Sequence, residues 1–189
     1  MPAQKAIIPF SKIPKFCPFC AHPVPEEERQ RQTHPFLCSN TAIPKPHQIF
    51  VSPLPVAVHI LLVRLDDGRL GVCLGRRGLV YEIAFGKWAL PGGYIEGETG
   101  EEAAIHEFGD EVGVDVSTVL LQHVAERYDP ATFCSLHFYA GIWPHSDPPE
   151  LQITEETTET MICPIDELPE DMAFPYQKEI IIEAAMLFA

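Results

Sequence analysis

The sequence predicts a mixed α/β (α+β) sandwich in which hairpins prevail over parallel crossovers. Three observations predict it. Two strand-like, β-branched runs, VAVHILLVRL (56–65) and LGVCLGRR (70–77), are joined by Asp66-Asp67-Gly68-Arg69, where Asp-Gly supplies the positive φ of a tight turn. A single capped helix is expected in the middle of the chain, with strand-like runs on both sides of it. An apolar segment with helical spacing, Tyr176–Phe188, ends the chain and is expected to dock back on the sheet. Hairpin linkage around one central helix favours this sandwich over a doubly wound parallel sheet.

Taken in order, the elements divide near residue 50. Before it prolines recur (Pro9, Pro14, Pro18, Pro23, Pro25, Pro35, Pro44, Pro46) and no helical or strand period is sustained. Only EEERQRQ (26–32) suggests a short polar turn or helix. The expected domains are an N-terminal segment, 1–50, and a main domain, 51–189. After the first hairpin, Trp88-Ala89-Leu90 leads into Pro91-Gly92-Gly93, expected to break regular structure. From Thr99 the chain reads as a helix, because Thr99 and Glu102 form a capping-box pattern. Ala103, Ala104, Phe108 and Val112 give it an apolar face and Gly113 a stop. VLLQHVAER (119–127), SLHFYAGIW (135–143) and ETMICPI (159–165) are the later strands.

Thirteen Lys and Arg against 27 Asp and Glu give a formal charge of -14. Such a surface repels a nucleic-acid backbone, so no nucleic-acid partner is expected. It also repels a phosphorylated small molecule, so phosphate chemistry here needs bound cations or a local basic pocket. No apolar run approaches the roughly 20 residues that span a bilayer. The start, MPAQKAIIPFSKIPKF, lacks the apolar core of a signal peptide. A cytoplasmic protein without a membrane partner is expected. The apolar final helix and the N-terminal segment would both permit a homodimer.

The informative segment is GGYIEGETGEEAAIHEFGDEVGV, 92–114. Glu107, Asp110 and Glu111 stand at i, i+3 and i+4, within an arc of about 100° on a helix. Like charges so placed destabilise the helix unless something cationic offsets them. Oxygen-only ligands suit Mg²⁺ or Mn²⁺, which keep waters and are completed by substrate phosphates. A merely solvated acidic face is the plain alternative. Against it stand the Gly-Gly turn, the acidic Glu96-Gly97-Glu98 loop and the capped helix directly behind.

These residues resemble the Nudix box, GX5EX7REUXEEXGU with U aliphatic: Gly92, five residues, Glu98, seven residues, then HEFGDEVGV from His106. WALPGG before it and DELPEDMAFPYQKEIIIEAA after it are similar to the same family, so the resemblance spans roughly 50–189. It implies a β-sheet between helices and hydrolysis of a nucleoside diphosphate linked to another moiety, of the ADP-ribose, NADH or nucleotide-sugar kind. Carried over, Glu107, Asp110 and Glu111 would hold Mg²⁺ or Mn²⁺, with Glu107 the choice for a base toward water. Gly92 or Gly93 would offer a carbonyl to the metal, and Glu98, with Gly93, would support the loop. A further carboxylate comes from a later loop, Glu156 being preferred to Glu155 and Glu159. Arg76, Arg77 and Lys87 are candidates for phosphates, and Trp88 or Tyr94 for stacking a base; surface charge and core packing are the plain readings for each.

The chain departs from the pattern. His106 stands where the family has Arg, Asp110 where it has Glu, and Phe108 where it has an aliphatic residue. Histidine is shorter than arginine and mostly neutral near pH 7, which implies weakened hydrolysis. The same departures leave open a nucleotide-sensing or protein-binding module with little turnover. A nucleoside-triphosphate housecleaning enzyme is a third reading, because the box selects the diphosphate and not the attached group.

Of the six cysteines, Cys73, Cys134 and Cys163 lie among apolar residues and are expected as buried thiols. Cys17-Pro-Phe-Cys20 forms a CxxC knuckle, followed by Cys38 in a segment without a core of its own, a setting in which structural Zn²⁺ supplies folding energy. His34 or His47 would complete a tetrahedron, whereas His22 sits too close to Cys20. The arrangement resembles the zinc ribbon preceding the Nudix domain in NADH pyrophosphatases, in part: a fourth cysteine and the SQPWPFPxS signature are both missing. A ribbon without metal and a redox thiol pair are the alternatives.

Overall fold

The computed structural model describes residues 5–8, 15–30, 36–79, 83–130 and 132–188. The chain forms two compact units, Met1–Leu54 with Tyr128–Ser135, and Pro55–Arg127 with Leu136–Ala189.

In the first unit, strand β1 (Lys5–Ile8) pairs in parallel with β3 (Gln48–Val51), and β2 (Phe36–Leu37) pairs antiparallel on the other side of β3. This small sheet was not expected. Strands of two to four residues show no period, and the β1–β3 register, Lys5 opposite Gln48, joins residues remote in the sequence. Helix α1 (Glu26–Gln30) covers most of the polar EEERQRQ run. Cys17, Val24, Cys38 and Ile49 are buried together, with Cys20, Ile43 and Phe133 packed against them.

The second unit is built on a seven-stranded sheet. β4 (Leu54–Arg64) and β5 (Leu70–Arg77) form the expected hairpin, with Leu62 opposite Val72 and Gly68 at φ 85°. Asp67 holds the turn by accepting the Arg69 backbone N–H, 3.0 Å. Two short strands follow, β6 (Trp88–Ala89) on β5 and β7 (Gly92–Tyr94) on β4. β7 corrects the expectation that Pro91-Gly92-Gly93 breaks regular structure. Its glycines pair with Val58 and Ala57, and a Cβ on Gly92 would lie 2.4 Å from the Ala57 carbonyl oxygen.

Helix α2 (Gly100–Val112) carries the predicted capping box at Thr99 and Glu102, and Gly113 ends it in the left-handed region at φ 70°. Its Phe108 and Val112 pack with Leu61, Val63 and Cys73 of the sheet, and its Ala103 and Ala104 with Ala57. β8 (Gln122–Asp129) starts later than expected, because Val119 is buried in the core and its N–H donates to Val116 in a turn. β9 (Cys134–Ile142) and β10 (Thr157–Pro164) complete the order β10-β5-β4-β9-β8.

Helix α3 (Gln177–Leu187) buries Ile180, Ile181 and Ala184. Gln177 Oε1 accepts the Leu90 N–H at 3.2 Å and fixes the helix start against the segment before β7. Cys73, Cys134 and Cys163 are buried free thiols. Among the described residues no helix is long and apolar enough to cross a membrane.

Candidate functional site

Cap and core packing together fix how α2 presents its carboxylates. With Phe108 and Val112 turned into the core, Glu107 and Glu111 fall beside the β7 and β10 ends of the sheet. Glu107 is half-buried. Its carboxyl occupies the space that a side chain on Gly93 would need, since a Cβ there would lie 2.2 Å from the Glu107 carboxyl carbon. Gly93, rather than Gly92, is thus the glycine facing the carboxylate. Glu111 is 7% exposed, and its backbone carbonyl accepts from Thr154 Oγ1 at 3.0 Å.

Thr154 also organises the loop before β10. Its Oγ1 accepts the Glu156 N–H at 3.2 Å, and the Glu156 carbonyl accepts the Gly78 N–H at 2.7 Å. This brings Glu156 close enough to act on Glu107. Burial pushes the Glu107 carboxyl up, and the charge of Glu156 pushes it further the same way. Of the neighbouring candidates, Glu155 is exposed and Glu159 is directed to Arg76, 3.6 Å.

His106 links loop to helix. Its Nδ1 lies 3.7 Å from Glu98 and its Nε2 3.1 Å from Asp110. The imidazole thus stands between the loop carboxylate and the second acid of the helix. Glu107, Asp110, Glu111 and Glu156 are hard oxygen donors, the set that fits a divalent cation retaining several waters. In this structure they stay spread: among the described residues, the group whose ligand atoms converge within 4.8 Å lies elsewhere, in the first unit.

The predicted substrate contacts fare unequally. Arg76 lies over the Trp88 ring at 4.8 Å, with Glu159 and Asp171 within 4 Å of its guanidinium. Trp88 is 7% exposed, so its ring is a packing surface and leaves little face for a base. Tyr94 is exposed, as is Lys87. Arg77 donates Nε to the Ile83 carbonyl and lies 5.5 Å from the Phe174 ring centroid. Sequence reasoning missed Phe174, Tyr176 and Arg127, which continue from that contact; the aromatic pair around Pro175 was the one available signal.

In the first unit, Cys17, Cys20, Cys38 and His47 bring one ligand atom each to within 4.8 Å of one another. Cys20 Sγ and Cys38 Sγ are 3.6 Å apart, and Cys17 Sγ and His47 Nδ1 are 3.3 Å apart. A tetrahedral ion with bonds of about 2.0–2.3 Å separates its ligands by roughly 3.3–3.8 Å; both of these pairs fall in that range, and the four residues are compatible with zinc in number and kind. His47 is the fourth member of the group; His34 lies outside the described residues. Asn40 Nδ2 donates to Cys20 Sγ at 3.6 Å, an orienting contact outside the four.

Comparison with known proteins agrees with this geometry. The family model for the Nudix domain matches residues 53–183. No curated protein matches the chain. Among solved structures, a Nudix hydrolase from Nitrosomonas europaea is similar at a TM-score of 0.62 and 19% identity, covering 91% of this chain and 93% of that one. The Nudix domain of Shewanella oneidensis NrtR, solved with ADP-ribose, gives 0.60 and 18%, covering 74% and 91%. An Ap4A hydrolase from C. elegans gives 0.59 and 16%, covering 70% and 97%. At these identities the structural likeness speaks for the fold alone. The family match spans most of the chain and includes the capped helix, its glycine turn and its carboxylates, and by it this chain belongs to the Nudix hydrolase family.

Proposed function

We propose that the chain is a divalent-metal-dependent hydrolase of a phosphoanhydride in a nucleoside diphosphate linked to another moiety. The observation that carries this is the Glu107 carboxyl lodged on Gly93, half-buried and within reach of the Glu156 charge. Two carboxylates from separate elements whose like charges act on each other make a poor structural contact, and a cation drawn between them would offset the repulsion. Glu107, Asp110, Glu111 and Glu156 would hold Mg²⁺ or Mn²⁺, with a carbonyl from Gly92 or Gly93. Such cations neutralise anhydride oxygens and make water more acidic. Water oxygen attacks phosphorus, the bridging P–O bond breaks, and the departing phosphate keeps that electron pair. Glu107 accepts the water proton. Glu98 steadies the loop through His106.

ADP-ribose, NADH and nucleotide sugars, offered with Mg²⁺ or Mn²⁺, test this reading by separation of the two monophosphate products. Glu107→Gln is expected to lower kcat by roughly 10²–10⁴-fold. A second reading, a ligand-binding module with little turnover, is favoured by one observation: His106, not Arg, joins Glu98 to Asp110. Binding across the panel without metal-dependent cleavage would establish it. His106→Arg is expected to raise the rate, and no gain would show that the missing guanidinium is not limiting.

We also propose that Cys17, Cys20, Cys38 and His47 bind structural Zn²⁺. One equivalent of zinc by emission spectroscopy on tag-free protein is the expected result. Below about a tenth of an equivalent, the four residues are a ribbon without its metal.

A further inference from the structure

Outside the acidic site, the second unit holds a row of two rings with a cation at each end. Arg77 of β5 lies over Phe174 at 5.5 Å; Phe174 and Tyr176 have centroids 5.8 Å apart; Arg127 of β8 lies over Tyr176 at 4.3 Å. Phe138 of β9 supports Tyr176 edge-on at 6.5 Å. β5 and β8 are separated in the sheet by β4 and β9, so at about 4.8 Å per strand the two arginines stand roughly 14 Å apart.

The row has a direction. Arg77 is followed by Gly78, whose N–H donates to the Glu156 carbonyl, and Glu156 acts on Glu107. One end therefore adjoins the carboxylate site and the other leads away across the sheet. The span is that of an extended nucleoside diphosphate. In a chain of charge -14, this places positive charge where an anionic ligand would otherwise meet repulsion. Two other arginines of the unit are held by acids: Arg69 by Asp67, Asp166 and Glu167, and Arg76 by Glu159 and Asp171. Arg127 is instead exposed and set on a ring. A guanidinium backed by one aromatic ring can bear a second on its outer face, as nucleobases do on arginine.

We propose that Arg127, Tyr176 and Phe174 form the subsite for the substrate's flat aromatic base, with Arg77 at its phosphate end. This rests on the reading of α2 as the diphosphate site. It assigns the substrate class further: the nucleoside, and not only the diphosphate, is gripped, and by stacking, which tolerates any base.

The test needs no turnover. Full-length protein is titrated calorimetrically with AMP, GMP, CMP and UMP, and with ribose 5-phosphate, which has the same phosphate and sugar but no base. The tightest nucleotide is expected to bind about ten-fold better than ribose 5-phosphate. Arg127→Gln and Phe174→Leu are each expected to remove most of that advantage, while ribose 5-phosphate affinity changes less than about two-fold. Tyr176→Phe, which keeps the ring, is expected to retain it. Should no nucleotide outbind ribose 5-phosphate, or should folded Arg127→Gln keep the full advantage, the row is packing and the proposal is overturned. Base-dependent binding without hydrolysis would instead remove the hydrolase reading and leave this subsite standing. Hydrolysis with base-independent binding would do the reverse.

Discussion

Gly93 and Glu107 pack so closely that one methyl group is enough to disturb the contact. A Cβ on Gly93 would lie 2.3 Å from both Glu107 carboxylate oxygens, so Gly93→Ala must push the carboxylate off the turn. A displacement of about 1 Å can cost roughly 10²-fold in rate, and we expect a loss of kcat of that order in the pyrophosphohydrolase assay. His59 makes a different kind of prediction. It is fully buried, with Nδ1 against the Ala104 carbonyl at 3.1 Å and its ring on Phe108. Nε2 has no hydrogen-bond partner among the described residues. Burial pulls its pKa down to about 4 from 6.5. Between those values the unfolded chain takes up a proton that the folded one refuses, so stability falls as pH drops from about 6.5 toward 4, by about 3 kcal/mol in all. His59→Asn or His59→Gln should flatten that part of the stability–pH profile, measured by urea titration at a series of pH values. Neither pairing could be read from the chain alone. Glu107 was identifiable by its place in the box, but its fit onto Gly93 depends on the β7–β4 register, and the partners of His59, which interrupts the apolar run, come from α2.

At the scale of elements, α2 was legible in detail because its determinants are local. The cap, the reciprocal Glu102 and the Gly113 stop are all read within a turn of where they act. Thr99 Oγ1 accepts the Glu102 N–H at 3.2 Å, and the Glu102 carboxylate accepts the Thr99 N–H at 2.8 Å. Thr99→Ala should cost about 1 kcal/mol, seen as a lowered Tm with kcat/KM little changed, since the cap lies at the end of α2 remote from Glu111. The β4–β5 hairpin was legible for the same reason. β7 was not: glycine has no strand propensity, and only the waiting edge of β4 makes Gly92–Tyr94 extended. Nor was the loop that delivers Glu156, since its anchor is Thr154 bonded to the far end of α2. The sequence preferred Glu156 to Glu155 and Glu159 without showing how it would be held; in the structure the charge of Glu156 raises the Glu107 carboxyl, while Glu159 lies 3.6 Å from Arg76.

Across the whole molecule, the Nudix unit and the cysteine unit draw stability from different sources. The first rests on an apolar core around Phe108 and Val112. Among the described residues the second has few buried side chains beyond its cysteines, Val24 and Ile49, so its order is expected to depend on metal. Cys20→Ser or strong chelation should abolish a separate, zinc-dependent melting step while the main transition persists, as followed by scanning calorimetry. The three cysteines announced this site by spacing. The fourth position stayed open between His34 and His47 because nothing local decides it.

The tip of the β8–β9 hairpin, Tyr128–Ser135, belongs to the first unit although it lies far along the chain. Phe133 packs beside Ile49 and Cys38, and its carbonyl accepts the Leu54 N–H at 3.1 Å. The polypeptide thus visits the same neighbourhood twice, once early and once late. Trimming everything ahead of Pro55 would strand an aromatic ring in water on a hairpin that carries Arg127 next to its tip. Such a shortened protein is expected to self-associate, visible by light scattering, and the leading fifty-odd residues are better regarded as a stitch than as a tag.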